Sequence, residues 1–514
     1  MSTVPPEESD IRTLMYEGMH AHQRGHLAKA EGLYARVVEI EQEHAQAWRL
    51  RGILARERGE LAASIAYLKT AAQASPDEAE PLGELGLSYM AMGDLPLSEN
   101  ALREALARNP DAHKALINLG AVLQFRGHIL EAVALYRHAL DIDSDDLEVR
   151  CNLAKALVDA SQSEEALAES EIAASRSGNH PIALATQGAV LCDLKRFDEA
   201  ESILAKACMR DPGNATALVN LGFARRQLEQ LEAAAETLRQ AVNIHPGHAR
   251  AVADLTIVLA TTGQQDAALA LSGNFLSQHP GECLVVAAHA FVLHDAGRVD
   301  EAHAYLDYPN LIRVTDIDLP NGFESLEAFN NALARFIETH PSLIAAPTSK
   351  ATHGGSQTGD FDCNENALLS ALRGLIYAAA TDAVSYYREN LGDHPITART
   401  ADAPVLRAWG TVLSDGGYQA PHMHPLAWLS GVYYVRVPAD MTQTDSRAGW
   451  IEFGAPPEDF GVASEPELHN IQPKEGRLLL FPSWFFHRTR PFEANVSRIS
   501  IAFDLVPKNA LRLL

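Results

Sequence analysis

The chain has 514 residues, with 42 Lys and Arg against 67 Asp and Glu, for a formal net charge of -25 at pH 7. That length allows two or more domains. The charge argues against nucleic acid or an anionic membrane surface as partner, because such binders carry basic patches. Five cysteines (Cys151, Cys192, Cys208, Cys283 and Cys363) are scattered without a C-x-x-C pair, which fits buried thiols in a reducing compartment better than a disulfide framework.

The first residues, "MSTVPPEESD", contain no apolar core, and no run of eighteen apolar residues occurs. Neither a secretory signal nor a membrane span is expected, and the expected location is cytoplasmic. Between about residues 11 and 307 the sequence repeats every 34 residues. A small residue recurs at Gly18, Gly52, Gly86, Gly120, Ala154, Gly188, Gly222, Thr256 and Ala290. A second series runs through Gly25, Gly59, Gly93, Gly127, Gly263 and Gly297, and a third through Ala30, Ser64, Ser98, Ala132, Ala166, Ala200, Ala234, Ala268 and Ala302. Prolines such as Pro76, Pro110, Pro212, Pro246 and Pro280 close several units.

Each of the nine units reads as two amphipathic helices, as in "LINLGAVLQFRG" followed by "ILEAVALYRHAL". Small residues let the paired helices approach. Glycine supplies the turn, where positive φ costs it least, and proline stops the second helix. Unit five lacks both turn glycines and the closing proline, which blurs its helix boundaries. Asn118, Asn152 and Asn220 are candidates to line a groove or to be ordinary solvated positions.

After about residue 307 the frame fails, and residues 308–364 read as a connector with Pro309, Pro320, Asn321-Gly322, a helical piece over 325–338 and a polar loop "APTSKATHGGSQTGDFDCNEN". A long amphipathic helix is expected from Glu365 to about Asn390. From Pro404 the apolar period changes to two. "VLRAWGTVLSDGG", "WLSGVYYVRVP", "AGWIEFGAP", "EGRLLLFPSW" and "SRISIAFDLVP" read as strands of a jelly roll or sandwich. The expected fold class is α+β: an all-α repeat superhelix over 11–307, then a C-terminal β-domain with a leading helix over 365–514.

The chemistry sits in the β-domain. His422 and His424 are spaced i, i+2, which on an extended strand points both imidazoles one way. Imidazole suits iron, zinc, copper or nickel, so the pair alone does not choose the metal. His487 follows an apolar strand and a proline turn, where antiparallel geometry can return it to the pair. Arg498 and Ser500 repeat the i, i+2 spacing. A buried arginine needs an anion, and its planar fork matches a carboxylate, with a serine hydroxyl adding a further bond. A structural ion pair is the competing explanation. Trp428, Trp450, Trp484, Phe485 and Phe486 either wall the site or fill the core.

The 34-residue units resemble tetratricopeptide repeats. The series "HPLAWLSGVYYV", "GRLLLFPSWFFH" and "SRISIAF", with its histidines and Arg-x-Ser, resembles the 2-oxoglutarate- and Fe(II)-dependent dioxygenases, most closely a bacterial and phage branch that in part carries such repeats in front. The first resemblance implies a concave groove that holds a protein or peptide, with a spacer or oligomerisation surface as the plainer alternative. The second implies a double-stranded β-helix, Fe(II) as cofactor and 2-oxoglutarate as co-substrate. It implies oxidative decarboxylation to succinate and CO2 coupled to hydroxylation of a C–H bond.

Carried over, His422 and His487 match the iron histidines. Arg498 and Ser500 match the pair that holds the distal carboxylate, and Tyr434 matches a tyrosine beside it. The common motif has an acidic residue where this chain has His424. Three readings follow: His424 is the third ligand, Glu452 or another carboxylate completes the site, or the site is degraded and the domain only binds. The resulting expectation is a dioxygenase acting on a protein or peptide recruited by the repeats. Its alternatives are a non-catalytic scaffold or a cupin-type metal oxygenase that does not use 2-oxoglutarate.

Overall fold

The computed structural model describes residues 6–345, 351–392, 394–397, 404–439, 441, 447–461 and 465–507. Eighteen helices, from Pro6–Gln23 to Val299–Leu306, form nine consecutive pairs in the predicted frame. The chain divides into two compact units, the first comprising Met1–Arg126 and Leu130–Val149 and the second Gly127–Ile129 and Arg150–Ala510.

The repeat frame has a direct steric cause. A Cβ built on Gly18 would fall 2.5 Å from the Tyr34 ring, and one on Gly52 2.5 Å from Leu68 Cγ. On Gly86 it would fall 2.6 Å from Leu102, on Gly120 2.7 Å from Tyr136 and on Gly222 2.6 Å from Leu238. The second helix of each of these pairs thus drives one large side chain against a glycine of the first. The turn after the first helix requires positive φ, which Gly25, Gly59, Gly93 and Gly127 supply at +74° to +81°. Units five, six and seven keep that turn without glycine: Ser161, Lys195 and Glu229 take φ of 64°, 59° and 59°. Unit five keeps regular helix boundaries, Leu147–Asp159 and Ser163–Arg176, with Ser161 in the positive-φ conformation that glycine takes elsewhere.

In the second unit the last repeat merges with the β-domain. Cys283, Val286, Ala287 and Phe291 of helix Cys283–Asp295 share a core with Trp428, Phe485 and Phe486. Cys283 Sγ–H donates to Ala427 O at 3.1 Å, and Trp484 Nε1–H donates to Tyr305 O at 3.0 Å. Helix Leu326–Glu338, capped by Ser325 Oγ, buries Phe329 and Leu333 in that core. Helix Ala367–Asn390, capped by Asn366, is long and apolar enough to cross a membrane by length and composition. It packs Leu369, Leu372, Ile376 and Tyr387 into the same core, with Tyr387 O–H donating to Leu311 O at 2.6 Å.

Among the described residues there are ten strands: β1 Arg313–Asp316, β2 Ile344–Ala345, β3 Thr352–Gln357, β4 Val405–His422, β5 Leu429–Arg436, β6 Ile451–Phe453, β7 His469–Ile471, β8 Arg477–Pro482, β9 His487–Thr489 and β10 Arg498–Val506. Neighbours are antiparallel in the order β1-β8-β5-β10-β4-β9-β6-β7, with β3 joining β2 to β4. The long β4 serves two ladders. Residues 405–413 pair with β10, while Gln419 and His422 pair with β9. Residues from both sides of this strand order line one cavity, so the sheet curls around it. The stretch read as a connector is part of this domain: β1 pairs with β8, and the supposed loop before the long helix contains β3.

Candidate active site

Three imidazoles meet in the cavity. Their nearest ligand atoms lie within 4.8 Å of one another. His422 and His487 face each other across the β4–β9 ladder, with ring centroids 4.3 Å apart. His424 lies 5.2 Å from each ring. The expected shared strand is corrected in detail. β4 ends at His422, and His424 sits just beyond it, its N–H donating to Ser483 O at 3.1 Å. The two rings converge without both being on the strand.

Each ring has one nitrogen committed. His422 Nδ1–H donates to Ala420 O at 2.8 Å, and His487 Nδ1–H donates to Phe485 O at 3.0 Å. His424 Nδ1–H donates to Asp504 Oδ1 at 2.6 Å. All three rings are thereby fixed in the tautomer that leaves Nε2 as a lone-pair donor. Burial, reinforced by the neighbouring His424, pushes His422 down to about 4. Burial and the other two histidines hold His487 well below its ordinary value. Neutral imidazole is the form that binds a metal ion.

Glu452, the alternative third ligand, is turned away. It pairs across the sheet with Arg488, while the next residue, Phe453, pairs with His487. Alternate residues face opposite sides, so Glu452 lies on the face away from His487. Its fully buried carboxylate accepts from Arg488 Nε at 2.7 Å and Arg490 Nε at 2.8 Å.

Arg498, Ser500, Ala502 and Asp504 alternate along β10 and border the same cavity of about 360 Å3. Arg498 is 2 % exposed, and no carboxylate among the described residues pairs with it. Its Nη1 donates to Gly449 O at 2.7 Å, and its Nε has no partner. Burial lowers its pKa, partly offset by Tyr434. The structural ion pair weighed from the sequence is therefore not found. Ser500 stands in register between Tyr434 of β5 and Thr411 of β4. Neither of these two borders the cavity, but the Tyr434 hydroxyl and Thr411 Oγ1 are both buried without partners. The Arg498 Cζ lies 5.1 Å from the Tyr434 ring centroid.

Sequence reasoning missed Thr411, Asp504 and Trp409. Asp504 was legible as the fourth member of the i, i+2 series that starts at Arg498, whereas Thr411 is found only through the register. Trp409 borders the cavity with its ring centroid 5.7 Å from His424. None of the five aromatics proposed as walls borders it, and Trp428, Trp484, Phe485 and Phe486 lie in the core. Beside Trp409 the lining includes Arg407, whose Nε donates to Asp360 Oδ2 at 2.6 Å.

Comparison with known proteins adds four findings. A family described as "Putative 2OG-Fe(II) oxygenase" matches residues 407–504. Two tetratricopeptide-repeat families match residues 17–79, 84–146 and 151–215, and residues 191–256. No curated protein matches the chain. Among solved structures, a tetratricopeptide repeat protein from Parabacteroides merdae ATCC 43184 is 15% identical, covers 49% of this chain and 99% of its own, and has a TM-score of 0.43. The APC/C hetero-tetramer Cut9-Hcn1 is 16% identical over 57% of each chain, with a TM-score of 0.40. The pilF protein of Pseudomonas aeruginosa is 19% identical over 41% of this chain and 96% of its own, with a TM-score of 0.35.

Proposed function

We propose that this chain, a tetratricopeptide-repeat protein with a domain of the 2OG-Fe(II) oxygenase family, is a 2-oxoglutarate- and Fe(II)-dependent dioxygenase that hydroxylates a protein or peptide. One observation carries the reading: a buried guanidinium with no carboxylate partner among the described residues lines the same cavity as three imidazoles whose ligand atoms lie within 4.8 Å of one another. Leaving a buried charge unpaired costs several kcal/mol. A ligand carboxylate removes that cost, and a bidentate fork selects for one. The orphaned Tyr434 hydroxyl and the adjacent Ser500 supply further polar groups for the same carboxylate.

In this reading His422, His424 and His487 hold Fe(II) through Nε2, and Arg498, Ser500 and Tyr434 hold the distal carboxylate of 2-oxoglutarate. Bound together, metal and co-substrate supply O2 activation coupled to oxidative decarboxylation to succinate and CO2, and hydroxylation of a substrate C–H bond. The chain's own contribution is positional. The three Nδ1 hydrogen bonds fix the rings before any ligand arrives. The Arg498–Gly449 bond holds the fork. Ile451 and Phe481 line the cavity with apolar surface that excludes water. The repeats support a polypeptide substrate, since stacked helical repeats commonly present extended binding surfaces.

The test is Fe(II)-dependent conversion of 2-oxoglutarate to succinate by the purified full chain. Turnover is expected from the native sequence and its loss from His487→Ala and Arg498→Ala. Turnover that survives Arg498→Ala would favour a metal oxygenase that does not use this clamp. Absence of any Fe(II) or 2-oxoglutarate binding would leave a binding-only domain.

A further inference from the structure

His424 occupies the position at which the resemblance expects a carboxylate, so the inner ligand set carries no negative charge to offset a divalent ion. The hydrogen bonding behind the three histidines is unequal. His422 and His487 lean on neutral main-chain carbonyls, Ala420 O and Phe485 O. His424 alone leans on a carboxylate, with Nδ1 2.6 Å from Asp504 Oδ1.

Asp504 is held for that contact. It is 8 % exposed, on β10, and Ser430 Oγ–H donates to the same Oδ1 at 2.7 Å. Ser430 Oγ also lies 2.8 Å from Ser483 Oγ, and Ser483 O accepts the His424 main-chain N–H at 3.1 Å. The ring and the backbone of His424 are therefore tied into one buried net of Ser430, Ser483 and Asp504. Arg407, which also acts electrostatically on Asp504, donates its Nε–H to Asp360.

Resting on the three-histidine Fe(II) reading above, we infer that Asp504 is a positioning residue that orients His424 Nε2 toward the metal and supplies, one bond further out, the negative charge that a ligand carboxylate would have given. The physical basis is general. A carboxylate accepting from the far nitrogen of a ligating imidazole fixes its tautomer and raises its basicity, and removing such a partner typically costs 10–100-fold in metal affinity.

The experiment titrates Mn(II) into the metal-free full chain by calorimetry, at a temperature where circular dichroism shows every variant folded. No turnover is needed. Asp504→Asn, nearly the same shape without the charge, is expected to bind Mn(II) about 10–100-fold more weakly than the native chain. Asp360→Asn removes a carboxylate of the same cavity that reaches Asp504 only through Arg407 and touches no histidine, and is expected to weaken binding by less than about threefold. Equal losses in the two variants would mean a general field rather than action through His424, and would overturn the inference. So would an Asp504→Asn chain that binds as well as the native one. A third variant leaves Asp504 in place: His424→Asp sets two carboxylates against each other and is expected to weaken binding, whereas tighter binding would show that the outer charge counts for nothing. A native chain that binds no Mn(II) would sink the metal-site reading itself, an outcome separate from any difference between variants.

Discussion

The repeats and the β-domain solve opposite problems with their buried groups. In six of the nine repeats one contact is copied: a glycine on the first helix meets a tyrosine or leucine on the second. Copies can decay without losing the architecture, as Ser161, Lys195 and Glu229 show by holding the glycine conformation. The β-domain has a single copy of everything. In three adjacent strands, β4, β10 and β5, it leaves Thr411 Oγ1, Arg498 Nε and the Tyr434 hydroxyl buried and unpartnered within one neighbourhood. Orphaned polar atoms also occur in the repeats, among them the Tyr34 hydroxyl on helix Leu27–Ile40 and Arg226 Nε on helix Ala215–Gln227, eleven helices further along the chain. Clustering, not the mere presence of such atoms, marks a site built for a ligand.

The sharpest way to break this contrast is Arg498→Met. If the orphaned charge exists for a ligand, its removal should abolish Fe(II)-dependent 2-oxoglutarate turnover. It should leave the unfolding midpoint of the ligand-free chain unchanged or raised, because replacing a buried unpaired charge by a packed apolar side chain is neutral or stabilising. A large loss of stability would instead make Arg498 a structural residue.

Next in size is a paired test of the repeat contact. Gly86→Ala would set a Cβ 2.6 Å from Leu102 Cγ, whereas Gly83→Ala on the same helix meets nothing within 4 Å. Overpacking costs typically 1–3 kcal/mol, and the helix preference for alanine returns about 1 kcal/mol. Urea unfolding should therefore show Gly86→Ala destabilised and Gly83→Ala stabilised by up to about 1 kcal/mol.

Smaller still are the turns that lack glycine. Lys195→Gly and Glu229→Gly relieve a left-handed conformation that costs an L-residue roughly 1–2 kcal/mol, against a greater loss of chain entropy for glycine. Each should stabilise its unit by about 0.5–1 kcal/mol, read from the same unfolding curves.

The mildest expected effect concerns pH. Burial, with Arg298 nearby, holds His289 below its ordinary value of 6.5, and its Nδ1 lies 2.8 Å from Ser272 Oγ. A folded value below the unfolded one means that stability is present above about pH 6.5 and is lost as pH falls below it. Thermal unfolding from pH 8 down to pH 5 should show this decline, with a shallower slope in His289→Gln.

Legibility follows the range of the interactions. The helix frame was readable because its cause is local: a 34-residue spacing fixes which glycine meets which large residue, and the apolar pattern brought the two later helices to within two residues of Leu326–Glu338 and Ala367–Asn390. His422 with His424, and Arg498 with Ser500, were legible as candidates through i, i+2 spacing, and His487 through the apolar strand and proline turn before it; all five line one cavity. What escaped depends on pairing between distant segments. β3 looks like a glycine-rich loop until β4 pairs with it. The facing of Glu452 is set by its register against β9, and a shift of one residue would have reversed it. Thr411 joins the Ser500 row only because β4 lies beside β10 in that register.

The most direct test of the central claim is calorimetric titration of 2-oxoglutarate into the full chain with and without Mn(II). The account predicts one equivalent bound, dependent on the metal and lost in Arg498→Met. Binding that is absent with metal present, or that is unchanged by omitting the metal and replacing Arg498, would contradict it.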